Sequence, residues 1–394
     1  MLRTFQFRLR PNATQAAMLT RILADNAETY NACLQERIGA WKLQRKSITY
    51  RDQQNELTEL RKDPAFSWMA CDIMRDPLRR VDRAFKAFFA RVKRGAKPGF
   101  PRWRSRHRYD SFSFSLPVCR ERSIKIPNVG DIRARGGRLI DGRAKLCTVK
   151  RDGARWTASV VCDIGEAPAK RAVSRATGID VGLTTLATLS DGTEIENPRW
   201  AKHHADRIAA KNRALATKKR GSRNRLKAKE ALRRSHQRAA NARLNYIHHV
   251  SKWLVANYDL IAHEDLKISN MARSASGTVE NPGKSVAQKR GLNRSIMDAA
   301  WGLLIWCITY KAEYAGKWVV PVNPRGTSQK CSGCGSVVKK KLSERMHVCA
   351  CGLTLGRDHN AGINIKQLAL QSLGMSDVKV MAESMQASTG GSCI

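Results

Sequence analysis

What this sequence lacks most is acid. Its 394 residues hold 33 Asp and Glu against 72 Lys and Arg, a formal net charge of +39 with a pI near 10.5. So basic a chain repels itself unless a polyanion neutralises it, which makes nucleic acid the expected partner. No apolar run reaches the roughly 18–20 residues that a spanning helix needs. No signal-peptide core stands behind Met1-Leu2-Arg3-Thr4-Phe5, which enters an alternating pattern directly. There is no internal repeat. Paired cysteines are missing over most of the length: Cys33, Cys71, Cys119, Cys147, Cys162, Cys307 and Cys393 stand singly, which suits a reducing compartment better than a disulfide framework. Membrane spanning, secretion and small acidic substrates are therefore poor readings.

Hydrophobic residues make up 42% of the chain, enough for packed cores, and at roughly 100–200 residues per domain the length suggests two to four domains. Phe5, Phe7 and Leu9 alternate as in a strand. Met18, Ile22, Tyr30 and Leu34 then fall on one helical stripe running to about Trp41. Further helices are expected at about 51–62 and 66–75, and one opened by Asp76-Pro77 and closed by Gly95 to Pro101. Strand patterns follow from 100, with Asp152-Gly153 as a hairpin turn. They read as a small β-barrel or sheet that the first strand joins, with the helices inserted.

A second region opens near 173. Gly178-Ile179-Asp180-Val181-Gly182 and Leu186–Leu189, turning at Asp191-Gly192, read as antiparallel strands. A long helical stretch is expected over 199–256, a buried strand over Asp259–Glu264 and a mobile polar loop over 269–292. A helix from Asn293 to Ala315, a strand over Trp318–Val322 and a helix over about 358–371 complete it. The tail beyond Gly374 shows little apolar periodicity and reads as loose.

Four cysteines crowd together as Cys331-x2-Cys334 and Cys349-x-Cys351. A tetrahedral zinc ion takes four thiolates, and so short and polar a segment builds no core of its own, so a structural zinc site is expected. Gly335 and Gly352 each follow a pair and permit the left-handed turn that wraps chain round a metal. The second pair is one residue shorter than the usual ribbon spacing, which leaves His347 as an alternative ligand.

Three carboxylates form the other constellation: Asp180 on the first strand of the second region, Glu264 at the end of a later strand, and Asp358 opening the last helix. That order is the layout of an RNase H-like nuclease core. Acids drawn that close need cations, and Mg²⁺ or Mn²⁺ suit oxygen ligands. Two such ions clamp a phosphodiester. Asp265 competes with Glu264 for the ligand role. Between Arg199 and Arg243, 16 Lys and Arg stand against only Asp206 and Glu230. Within it Lys218, Lys219, Arg220, Arg223 and Arg225 are candidate backbone contacts. Arg102, Trp103, Arg104 and Arg106 form a second candidate patch, where an aromatic between arginines can stack on bases. The competing reading there packs Trp103 into a core.

The order of these motifs resembles the TnpB (OrfB) family of insertion-sequence proteins, relatives of type V CRISPR effectors. The likeness lies in Phe7-Arg8-Leu9-Arg10-Pro11, Gly178–Leu183, Glu264-Asp265-Leu266, Leu292–Glu313, Thr327–Gly335 and Arg357–Ile365. It covers about 1–370 and is specific from 177 to 366. It implies a multidomain α+β protein. A wedge-like β-barrel would take 1–11 and 95–172, with a helical recognition insert at 12–94. A RuvC-like α/β nuclease would take 173–324 and 353–372, with a zinc ribbon at 325–352 and a tail at 373–394. It implies that Asp180, Glu264 and Asp358 are the catalytic acids, and that a guide RNA directs cleavage of DNA, held as duplex and single strand, beside a short flanking motif. It further implies a prokaryotic cytoplasmic protein near the nucleoid, as monomer or dimer. A guide-directed binder without cleavage and a conventional transposase are the alternatives. The family often carries an acid two positions before its third catalytic Asp, where this chain has Gly356.

Overall fold

The computed structural model describes residues 1–136, 140–341 and 343–376, so the tail from 377 lies outside it. The chain forms two compact units, Met1–Glu166 and Ala167 onward. The first opens with β1 (Leu2–Arg10), where Phe5, Phe7 and Leu9 are buried and Gln6, Arg8 and Arg10 exposed. α1 (Ala13–Gln44) starts at a capping box between Asn12 and Gln15. α2 (Tyr50–Leu60) starts at another between Thr49 and Asp52. After α3 (Pro64–Ser67), α4 (Cys71–Lys93) runs straight through Pro77. The break expected at Asp76-Pro77 is absent because Ile73, Met74, Leu78 and Val81 form one continuous buried stripe, whose packing outweighs the lost backbone bond.

The remaining strands of this unit are β2 (Ser111–Ser115), β3 (Val118–Cys119), β4 (Ser123–Ile126), β5 (Gly130–Arg135), β6 (Arg143–Asp152) and β7 (Arg155–Asp163). They pair antiparallel in the order β2-β6-β7-β1-β5-β4-β3, so the first strand enters the middle of the later sheet, as its pattern led us to expect. The described pairings leave β2 and β3 as edges. Leu19, Ile22 and Leu78 of the helices share one core with Phe112, Ile124 and Val160 of the strands.

The second unit holds a five-stranded sheet. β8 (Ala176–Val181), β9 (Thr185–Leu189) and β10 (Glu194–Glu196) are antiparallel; β11 (Leu260–Glu264) and β12 (Trp318–Val322) run parallel to β8, in the order β10-β9-β8-β11-β12. Between them, α5 (Trp200–His203) and α6 (Ala205–Ala216) precede α7 (Arg223–Asn257). The helical stretch expected over 199–256 is interrupted by a turn at 217–222, where Gly221 takes a φ of 81° and Ser222 caps α7. The stretch over 269–292 is more ordered than its polarity suggested. It contains α8 (Ile268–Met271) and a tight Gly277–Pro282 bridge, and α9 (Val286–Ala299) begins within it. Asn293 ties it down by donating to the carbonyls of Ala272 and Arg273, each at 3.0 Å.

Ala300, at a φ of 55°, splits the helix expected over 293–315 into α9 and α10 (Trp301–Tyr314). The break lets the Trp301 indole donate to the Gly182 carbonyl at 3.1 Å. α7 and α10 pack on one face of the sheet through Leu254, Leu304 and Ile308. β13 (Met346–Val348) and β14 (Thr354–Gly356) form a small hairpin. α11 (Arg357–Ser372) covers the other face through Ile365, Ala369 and Leu370, against Leu260, Ala262 and Val322.

Candidate active site and cysteine cluster

The parallel register brings Ile179 opposite His263. The next residues, Asp180 and Glu264, therefore stand side by side at the carboxyl ends of β8 and β11, where ligands gather in such sheets. Side chains alternate along a strand, so Asp180 shares a face with Gly178, and Glu264 with Leu260 and Ala262. That is the face under α11. Gly178 has no room for a side chain: a Cβ there would stand 2.1 Å from the Gly362 carbonyl oxygen of α11. This close contact seats the start of α11, and with it Asp358, beside the two strand acids.

The electrostatics report the convergence. The Asp180 carboxyl is pushed up to about 8, by burial first and then by the negative charges of Glu264 and Asp358, while Arg357 opposes the shift. Burial also raises Glu264, against a hydrogen bond of 2.5 Å donated by the Thr327 hydroxyl. A divalent cation bound there would favour the ionised carboxylates. Asp265, the competitor for the ligand role, is exposed and paired with Lys267 at 2.6 Å, so it stands outside the cluster.

Cys331, Cys334, Cys349 and Cys351 bring their sulfurs within 4.8 Å of one another. The Cys331–Cys351 and Cys334–Cys349 separations are 3.7 and 3.6 Å. Four sulfurs at about 2.3 Å from a tetrahedral centre would lie about 3.8 Å apart, so the set fits such a metal. Hydrogen bonds from the Ser336 side chain and backbone, with help from the neighbouring cysteines, draw the Cys334 thiol down to about 6. His347, the alternative ligand, is buried outside this group, and its Nδ1 meets the Lys340 ammonium. Among the described residues these four cysteines are the one group so tightly spaced; the three carboxylates are spread more widely.

Residue-by-residue reading of the sequence missed the side chains that join the two clusters. Asn364 donates to the carbonyls of Thr327 (2.8 Å) and Lys330 (2.7 Å). Asn360 donates to Lys330 and accepts from the Ser332 amide. The two asparagines are one helical turn apart on α11, so the helix that carries Asp358 also grips the loop leading into Cys331 and holds the hydroxyl on Glu264. Two buried asparagines at an i, i+4 spacing just after Asp358 were the available signal.

Among the candidate nucleic-acid contacts, Lys218, Lys219 and Arg220 occupy the turn between α6 and α7, exposed. Arg223 begins α7, also exposed. Arg225 differs: its guanidinium donates to the carbonyls of Leu215 and Lys218, closing the turn. Arg102, Trp103, Arg104 and Arg106 lie exposed in the first unit. Trp103 is 55% exposed, so the core reading of it fails. Arg104 stacks over Tyr30 at 5.4 Å, and Arg106 pairs with Glu28.

The mixed five-stranded sheet, with acids at two of its strand ends, is consistent with a RuvC-like nuclease domain. The comparisons then place the whole chain. The family model described as "Probable transposase" matches residues 159–275, the "Cas12f1-like, TNB domain" model matches 301–365, and a "Helix-turn-helix domain" model matches 1–46, which here is one strand and one long helix. A protein of Escherichia coli K12 named as an RNA-guided DNA endonuclease, InsQ, is 33% identical over 92% of this chain and 91% of its own length. A Streptomyces pristinaespiralis protein named for the same activity is 31% identical over 95% and 91%. A solved Cas12f1–sgRNA–target DNA complex shares the fold, with a TM-score of 0.56 at 15% identity over 90% of this chain and 82% of that one. The chain belongs to the TnpB (OrfB) family.

Proposed function

We infer that this protein is an RNA-guided DNA endonuclease, and that Asp180, Glu264 and Asp358 carry its phosphodiester hydrolysis. The observation that supports the site assignment is the placement of two acids at neighbouring strand ends and a third at the start of the overlying helix, with burial and the charges of Glu264 and Asp358 pushing the Asp180 carboxyl up to about 8. The residues fit Mg²⁺ or Mn²⁺, which when bound would activate a water and stabilise the leaving oxygen. The chain's part is to hold the acids in place: Gly178 lets α11 approach, and Thr327 orients Glu264.

The cysteine set is assigned to zinc in a structural role, because a closed sphere of four thiolates leaves no position for water. The basic turn at 218–220 and the exposed 102–106 segment are assigned to nucleic-acid backbone and base contact. The guide strand would read sequence by pairing while the protein reads only a flanking motif. The front unit is assigned the wedge role with its helices as recognition insert, and the protein a prokaryotic cytoplasmic setting.

The test begins by sequencing the RNA that co-purifies with the chain. A plasmid carrying a matched target is then offered with Mg²⁺. Cleavage that needs both RNA and metal is expected. Binding without cutting would instead favour a guide-directed binder, and end-specific cleavage that survives RNase treatment would favour a conventional transposase.

A further inference from the structure

The first sheet carries an arrangement of charge that neither the acids nor the cysteines explain. β1 turns Arg8 and Arg10 outward on either side of buried Leu9, and β5 turns Arg133 and Arg135 outward on either side of half-buried Ala134. The two strands pair antiparallel, with Arg8 opposite Arg135 and Arg10 opposite Arg133. The pairing therefore sets four guanidinium groups in a two-by-two grid. Like charges directly opposed across a strand pair are destabilising. The nearby Asp131 is already engaged by Arg120 at 3.0 Å, and no ion pair relieves the four among the described residues. Arg10, Arg133 and Arg135 also line a cavity of about 480 Å³ together with Arg122, and Glu121 is the one acid in its wall.

A fold that keeps two opposed arginine pairs beside a cavity has a use for them. Same-face residues on a strand recur about every 7 Å, comparable to the separation of successive phosphates along an extended nucleic-acid backbone. Arginine suits this task because its planar fork meets phosphate oxygens two at a time. We propose that this grid is a backbone-binding site for two successive phosphates of a nucleic acid, with Arg8 and Arg135 on one and Arg10 and Arg133, aided by Arg122, on the next. Which nucleic acid fills it rests on the function proposed above; the phosphate chemistry does not.

The test uses the full-length protein with Arg133→Gln and Arg135→Gln, singly and together. Two readouts should move in opposite senses. Without nucleic acid, relief of the repulsion should raise the thermal midpoint by about 1–3 °C. With nucleic acid, the slope of log affinity against log salt should fall by about one per arginine removed. One arm measures binding of the co-purifying RNA, and a second measures duplex DNA offered to the RNA-loaded protein. The arm whose slope falls identifies the strand. Slopes unchanged in both arms overturn the proposal, whatever the midpoint does. Failure of the nuclease reading would look different: no plasmid cleavage, with slopes that still depend on the arginines.

Discussion

Both sheets of this protein concentrate charge of one sign, and they do so with opposite consequences. The first unit gathers arginines on an exposed face, where water and salt screen them, so the fold carries only a modest cost. The second gathers half-buried carboxylates at two strand ends and a helix start. There burial first, and then the charges of Glu264 and Asp358, push the Asp180 carboxyl up to about 8. Exposed like charges are screened by solvent, whereas half-buried ones shift their own protonation equilibrium.

The sharpest way to break this comparison is to remove the acids. Asp180→Ala, Glu264→Ala or Asp358→Ala should each lower guided plasmid cleavage by at least about a thousandfold, with RNA affinity measured by filter binding unchanged. Full cleavage by any one variant would strike that residue from the site. Next in size is the cysteine cluster. On the zinc assignment, the purified protein should carry zinc, read by elemental analysis, and Cys331→Ser should lose it with a lower thermal midpoint, because the affinity of a structural metal is folding energy.

Thr327→Val tests the link between the clusters. Loss of a hydrogen bond to a charged group should lower kcat about tenfold with KM little changed, and Thr327→Ser should restore it. A smaller effect is expected at the basic turn. Replacing Lys218, Lys219 and Arg220 by Ala should lessen the salt slope of nucleic-acid binding by about three; an unchanged slope would make that turn a merely solvated surface.

The pH dependence is the mildest test. An acid whose folded pKa is raised contributes stability that is complete below its unfolded value near 3.8 and is lost as pH rises through the folded value near 8. The protein without divalent ions should therefore lose stability across that window. Added Mg²⁺, read by thermal melting, should raise the midpoint more at pH 8.5 than at pH 6. Asp180→Asn should flatten the dependence.

Much of the candidate site was legible before folding because its parts have local signatures. A carboxylate at the end of an apolar run, a Cys-x2-Cys pair and an Asp opening a helix are each encoded within a few residues. The strands were legible for the same reason: burial alternates in β1 as its apolar pattern does. Breaks between helices were harder. Proline at 77 announced one that packing overrode, and alanine at 300 concealed one that the Trp301 indole required. The polar stretch over 269–292 read as loose because its order comes from side chains bonding to backbone, which leaves no apolar period.

Composition and short motifs therefore pointed to the chemistry: excess base to a polyanion, four thiols to a metal, three acids to cations. Long-range pairing supplied the rest. It seated Gly178 under Gly362, put Thr327 on Glu264 and set Arg10 against Arg133. The physical reason is that motifs are written in neighbouring residues, whereas the cost of opposed charges and the fit of a helix on a strand arise between residues that meet only when the chain has folded.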